Sequence, residues 1–521
     1  MRHLSPLICL LAMLCGGTRA DENTATRPNI LLILADDMGF SDLGCYGGEI
    51  RTPNLDRLAA EGLRFSQCYN CALCGPSRAA LMTGLHPHQV GIFNWTGLLG
   101  NRCVTLFELL HGAGYATCAV GRLDMVTADV WHDPAKIARH VDRFLGSTGH
   151  SGPGNYFADV HNTAFYLDGK PFSLPAGTYK TDLITDFAVQ FIAETKKDRP
   201  FFLYMSHYAP HWPLHAKPED MAKYRKLYRE LGWDEARARR HQRLIELGLI
   251  DAKCRLSPRD PRVPAWQDAD HKDWEAERMA AFAAQVDSLD QSVGRVLDAL
   301  RQTGADRNTL VLFLSDNGAA DTAVGPLDKP GQTWRVDGTL TKVGNKPSIQ
   351  PGPADTFVTA GPPWSNVSNT PFRRHKQSNH EGGIATPLIA WWPRTIRPTG
   401  GVTPELVHIT DLTATCLDVA GVEYPSQFET RTVQPLAGKS LLPVLKGGSR
   451  EGHPSLCWAT SGSRAVRIGS WKLVSAKNGP WELYDLTTDR TELNDLAKQH
   501  PQRVQAMAKV FEEWRGGGEA K

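Results

Sequence analysis

Asp36-Asp37, Cys74, Arg122 and Asp124, His211, and Asp316-Asn317 are the residues whose types and spacing invite chemistry, although they are spread over most of the chain. Asp36, Asp37, Asp316 and Asn317 offer carboxylate and amide oxygens. That donor set suits a hard cation such as Ca2+ or Mg2+ and not zinc. Cys74 precedes Pro76-Ser77-Arg78, and the stretch 76–84 reads as a helix with proline in its first turn and Gly84 at its end. Cys74 is therefore expected at a helix N-terminus, where backbone N–H groups and the helix dipole favour an anion. Cys68, Cys71 and Cys74 have the two-residue spacers of an iron–sulfur run, but Arg78 stands where the fourth cysteine belongs. A structural disulfide is the alternative for Cys68 and Cys71. Any single acidic pair reads most simply as a loop residue capping a helix; four such groups, each at the end of an apolar run, argue for one shared site.

The elements that must position these groups are short apolar runs at 30–35, 116–120, 201–205, 310–314 and 388–392. Their length, with helical patterns between them, predicts buried parallel strands in an α/β sheet flanked by helices. Open α/β sheets place ligands at the carboxyl ends of their strands. Four runs lead there into polar groups: Asp36-Asp37, Arg122 with Asp124, His207 with His211, and Asp316-Asn317. A capping box of Thr105 and Glu108 starts one helix, and another follows Pro53. Residues 217–304 read as mostly helical, with a break near 258–264. Residues 319–370 are rich in Gly, Pro, Thr and Asn and read as a long flap, whose Trp334 and Trp364 either line a pocket or anchor the loop. Strand patterns at 465–468, 471–475 and 481–486, an Asn478-Gly479 turn and a helix at 502–514 predict a smaller C-terminal antiparallel sheet plus helix. The expected division is 1–20, 21–440 and 441–521.

At 521 residues, with 41% hydrophobic and 22% charged, the chain is long enough for a large core. Its net charge of +2 gives no global attraction to nucleic acid or to an anionic membrane. Arg2 and His3, an apolar run at 7–14 and small residues up to Ala20 read as a secretory signal cleaved after Ala20, which places the protein outside the cytoplasm, secreted or periplasmic. No later segment is apolar and long enough to span a membrane.

Cys74-Gly75-Pro76-Ser77-Arg78 with Leu81-Met82-Thr83-Gly84 resembles the signature of the formylglycine-dependent sulfatases of the alkaline-phosphatase superfamily. Asp36-Asp37, Asp316-Asn317-Gly318, Ala209-Pro210-His211-Trp212-Pro213, the segment from Asn369 through Lys376 to Gly383, and Glu482-Leu483-Tyr484-Asp485-Leu486 extend the similarity over nearly the whole mature chain. It is most similar to the bacterial arylsulfatase and polysaccharide-sulfatase branch. The resemblance implies an alkaline-phosphatase-like fold and a Ca2+ (or Mg2+) ion held by Asp36, Asp37, Asp316, Asn317 and the modified Cys74. It also implies a maturation enzyme that oxidises Cys74 to formylglycine. Arg78 would fix the formylglycine hydrate, and His211 and Lys376 would hold the sulfate and help the leaving oxygen depart. One hydroxyl of the hydrate would attack sulfur and the second would expel sulfate from the covalent sulfo-enzyme, dividing hydrolysis into two easier steps. The expected substrate is a sulfated carbohydrate ahead of a small aryl sulfate.

The chain departs from the family at Gly121-Arg122-Leu123-Asp124, where the family has Gly-Lys-Trp-His. Arg122 keeps the positive charge and can grip sulfate bidentately. Asp124 can accept a proton, but as an anion it repels sulfate by about 4 kcal/mol at 4 Å and an effective dielectric near 20. His132 is the other candidate for the missing histidine. Two further readings follow: a phosphate or phosphonate ester hydrolase of the same superfamily, and a sulfated-glycan binding protein that has lost turnover.

Overall fold

The computed structural model describes residues 27–92, 100–124, 139–148, 156–158, 165–324 and 340–516. The signal segment, His132 and Trp334 lie outside the described residues.

Aliphatic runs build the centre of a ten-stranded sheet. Its strands are β1 (Asn29–Ala35), β2 (Leu63–Tyr69), β3 (Ala116–Arg122), β4 (Arg143–Ser147), β5 (Tyr166–Leu167), β6 (Lys170–Pro171), β7 (Phe201–Ser206), β8 (Thr309–Ser315), β9 (Ala385–Trp391) and β10 (Gly401–His408), in the spatial order β10-β2-β9-β8-β1-β7-β3-β4-β5-β6. β8, β1, β7, β3 and β4 run parallel. β1 reads Asn-Ile-Leu-Leu-Ile-Leu-Ala because both of its faces are covered. Leu31 and Ile33 pack into one core, with Ile184 and Leu289; Ile30, Leu32 and Leu34 pack into the other, with Leu81, Phe107 and Leu412. Each fully buried aliphatic side chain contributes about 2 kcal/mol.

The helices that cover the sheet follow their capping signals. They include α1 (Pro53–Glu61), α2 (Cys74–Thr83), α3 (Leu106–Gly112), α4 (Lys180–Glu194), α5 (Arg225–Glu246), α6 (Lys272–Thr303), α7 (Gly361–Ser368), α8 (Thr410–Ala420) and α9 (Pro501–Gly516). At the start of α3, Glu108 N donates to Thr105 Oγ1 at 3.2 Å and Thr105 N donates to a Glu108 carboxylate oxygen at 2.7 Å. The break expected in the long charged helical stretch lies between α5 and α6. A four-stranded antiparallel sheet, β11 (Leu456–Thr460), β12 (Ser463–Ile468), β13 (Trp471–Ser475) and β14 (Glu482–Asp485), packs against α9.

Three expectations are corrected. β9, read as a parallel strand, pairs antiparallel with both β8 and β2; an apolar run buried on both faces has the same pattern in either direction. Part of the expected flap is helical, and Trp364 in α7 is fully buried against Tyr228, Trp233 and Trp266, so it anchors the segment. Cys68 and Cys71 are free buried thiols, as are the other cysteines among the described residues. A core this large holds without that crosslink. No helix among the described residues is long and apolar enough to cross a membrane.

Candidate functional site

Register sets the site. Ala35 pairs with Ser315, Leu34 with Ser206, and Gly121 with Ser206. The residues that follow, Asp36, Asp316, His207 and Arg122, therefore emerge together at the carboxyl edge of the parallel strands, the position at which such sheets bind ligands. α2 points its N-terminus at the same place and delivers Cys74, which is fully buried. The loop after α7 closes over it. Gly318 permits that closure: a Cβ there would stand 2.0 Å from the Gly382 carbonyl oxygen. Lys376 N donates to Ala319 O at 3.2 Å and Gln377 N to Ala72 O at 2.8 Å, so Lys376 is held between the end of β8 and the approach to α2.

All ten residues expected at the site are brought together. Lys376 Nζ donates to Cys74 Sγ at 2.9 Å and to Asp37 Oδ1. Cys74 Sγ is 3.7 Å from Asp36 Oδ1. Asp36, Asp37, Cys74 and His211 each offer one donor atom, all within 4.8 Å of one another, a grouping that can hold a metal ion. Asp316 accepts from Asp37 N at 3.1 Å and from Arg78 at 2.9 Å, and Asn317 Nδ2 donates to Asp37 Oδ1 at 2.6 Å. Arg122 bridges two carboxylates: it contacts Asp36 and donates to Asp124 Oδ2 at 2.8 Å.

The cluster fits a cation. Asp37 Oδ2 and Asn317 Oδ1 are buried with no hydrogen-bond donor among the described residues. His211 Nδ1 donates to the Trp212 carbonyl at 2.6 Å, which turns the lone pair of neutral Nε2 toward Asp37 Oδ2, 3.4 Å away. Acceptors facing one another in a dry site need positive charge between them. Burial alone would raise the Asp36 carboxyl, but the neighbouring cations, Arg122 foremost, outweigh it and hold Asp36 below the usual carboxylate range. Asp316 goes the other way. Burial, reinforced by the Asp36 charge, pushes it up to about 7. Burial lowers His211 against the opposing pull of Asp37. It raises the Cys74 thiol well above its ordinary value despite Lys376 nearby.

One neighbour, Ser206, went unread in the sequence, and Glu381, part of the matched segment ending at Gly383, had no role of its own assigned there. Ser206 Oγ donates to Arg122 O at 2.6 Å and accepts from Arg78, which fixes the Arg78 guanidinium. It is the last residue of β7, so the strand-end rule that picked out Asp36 would have included it. Glu381 accepts from Tyr69 Oη at 2.8 Å and pairs with Lys472 at 2.8 Å and Arg490 at 3.2 Å; Lys472 also pairs with Glu492 at 2.8 Å. This buried network fastens the loop bearing Lys376 to the C-terminal sheet. His207 is fully buried and neither ring nitrogen has a hydrogen-bond partner among the described residues.

With this geometry in hand, comparison with known proteins is informative. Residues 28–422 match the Sulfatase family model, and residues 374–515 match the model of the N-sulphoglucosamine sulphohydrolase C-terminal region. The chain is 33% identical to an uncharacterized sulfatase of Schizosaccharomyces pombe, over 91% of each chain. It is 31% identical to an arylsulfatase of Klebsiella aerogenes, over 83% of this chain and 94% of that one. The solved structure of Ps i-CgsB in complex with k-i-k-neocarrahexaose superposes with a TM-score of 0.67 at 26% identity, covering 95% of this chain and 94% of that one.

Proposed function

From the premise that the chain belongs to the sulfatase family and is a sulfuric ester hydrolase, we propose that it cleaves a sulfate ester of a sulfated carbohydrate, using Cys74 in its formylglycine form. The observation that carries this reading is the contact of Lys376 with both Cys74 and Asp37 at the mouth of a helix N-terminus. The carbohydrate class is supported by the neocarrahexaose bound to Ps i-CgsB and by the sulphohydrolase match of the C-terminal region. The expected secretory signal agrees with an enzyme that works on extracellular glycans.

Asp36, Asp37, Asp316 and Asn317 would hold a Ca2+ or Mg2+ ion, the choice favoured by their oxygen donors. Such an ion supplies charge stabilisation of the sulfate oxygens, and the hydrated aldehyde supplies a hydroxyl nucleophile. The chain's own residues do the rest. Arg78, pinned by Ser206 and Asp316, orients the group at position 74. Lys376 and Arg122 neutralise sulfate from two sides. His211 Nε2 faces the cluster and is placed to hold or deliver a proton at the leaving oxygen; burial, opposed by Asp37, lowers its pKa. Asp124 serves Arg122: its pairing with the guanidinium anchors that cation.

The test is sulfate release from a sulfated oligosaccharide and from 4-nitrophenyl sulfate after co-expression with a formylglycine-generating enzyme, with the matching phosphate esters as controls. Mass spectrometry of the Cys74 peptide should read the aldehyde. An active protein whose Cys74 is an unmodified thiol, or one that prefers phosphate esters, overturns the reading.

A further inference from the structure

The opening beyond Lys376 is much larger than one sulfate needs. Lys376 lines a cavity of about 750 Å3, and this runs into a second of about 1430 Å3; the two share Gln377, Ser461, Ser463 and Lys477. The second cavity lies over the C-terminal sheet and the end of α9. Among the described residues its lining includes Arg102, Arg464, Lys477 and Arg515 and no Asp or Glu. In a chain whose net charge is only +2, four cations around one hollow without a carboxylate form a strong local bias.

These cations are not committed to ion pairs among the described residues. Arg464 stacks its guanidinium over Trp481 at 4.1 Å, Arg102 has the neutral amide of Gln434 beside it, and Lys477 and Arg515 are exposed. The same wall carries Trp514, whose indole ring packs on His88 with centroids 4.0 Å apart. Its N–H is buried without an acceptor among the described residues. The indole is part-buried and leaves an edge at the cavity wall, and guanidinium and ammonium groups outside ion pairs suit further sulfates.

Resting on the sulfate-ester reading above, we propose that this basic groove binds the rest of a polysulfated oligosaccharide, so that the chain acts on oligomers whose uncleaved sulfates lie over the C-terminal sheet. The ligand class is an anionic glycan and not a nucleic acid, since the cavity offers one exposed indole edge and no series of stacking rings.

The experiment compares carrageenan-derived oligosaccharides of increasing length with 4-nitrophenyl sulfate, for the wild type and for the double variants R464E/K477E and R102E/R515E. KM for the longest oligosaccharide should rise about tenfold in each variant while 4-nitrophenyl sulfate turnover stays within about twofold, and the wild-type preference for length should shrink at high salt. Calorimetric binding of the same oligosaccharides, which needs no turnover, separates failure of the groove from failure of the sulfatase reading. Binding and kcat/KM independent of length overturn the groove. So does equal loss on both substrates with an unchanged melting temperature, or competition by a single-stranded oligonucleotide of equal charge as good as the glycan's.

Discussion

Lys376 Nζ lies 2.9 Å from Cys74 Sγ, although the two residues are 302 positions apart in the chain. Lys376→Ala should lower kcat about a hundredfold or more, the usual cost of removing a donor aimed at developing charge. Steady-state kinetics on 4-nitrophenyl sulfate measure it. An Ala variant with wild-type kcat would remove Lys376 from the reaction.

Arg122 and Asp124 form a fully buried pair. Asp124→Ala leaves the guanidinium held by Asp36 alone, and removing one partner of a buried pair costs about 3–5 kcal/mol. The expected result is a lower unfolding midpoint together with a raised KM. Asp124→Asn keeps a hydrogen-bonding partner and should restore much of the stability. If Asp124 anchors Arg122, the pH profile of kcat in Asp124→Asn will match the wild type; loss of the basic limb would make Asp124 the proton acceptor instead.

Metal binding should be linked to pH through Asp316. Without a cation its carboxyl is pushed up to about 7 by burial and the Asp36 charge. A cation requires the ionised form, so binding near pH 7 should release a proton, and affinity should fall as the pH drops below 7. Calorimetry of Ca2+ and Mg2+ in buffers of different ionisation enthalpy reads the proton directly. EDTA should abolish turnover and Asp316→Asn should remove the proton release.

His207, His215 and His408 are buried and neutral, with burial lowering them to about 3, 4 and 4 from an ordinary value of 6.5. Because the unfolded chain takes up protons that the folded chain refuses, stability should fall as pH drops from 6.5 toward 4. Each histidine contributes about 1 kcal/mol per pH unit in that window. Urea unfolding at pH 7.5 and 5 checks the slope.

Sequence patterns carried the site further than they carried the sheet. Asp36, Arg122, His211 and Asp316 were readable because each follows an apolar run, and a parallel centre puts all such ends on one edge. The Cys74 helix was readable from Pro76 and Gly84. Strand direction was not: Ala385–Trp391 is buried on both faces, and nothing in its composition distinguishes an antiparallel neighbour. β10 was missed because its first six residues are partly buried or exposed and Pro404 interrupts it. The partnership of Glu381 with Lys472 and Tyr69 was beyond sequence patterns, since it joins three elements with no common periodicity.

That last network has a consequence for the order of events in synthesis. Lys472 and Glu492 leave the ribosome after every strand of the large sheet and after Lys376 itself. A nascent chain ending before Trp471 carries Cys74, Asp36 and Asp37 but leaves Glu381 without its lysine, so the loop that seats Lys376 lacks its tie to the C-terminal sheet. Hydrolytic competence should thus switch on only when translation is nearly finished, and fragments that stop short should stay inert.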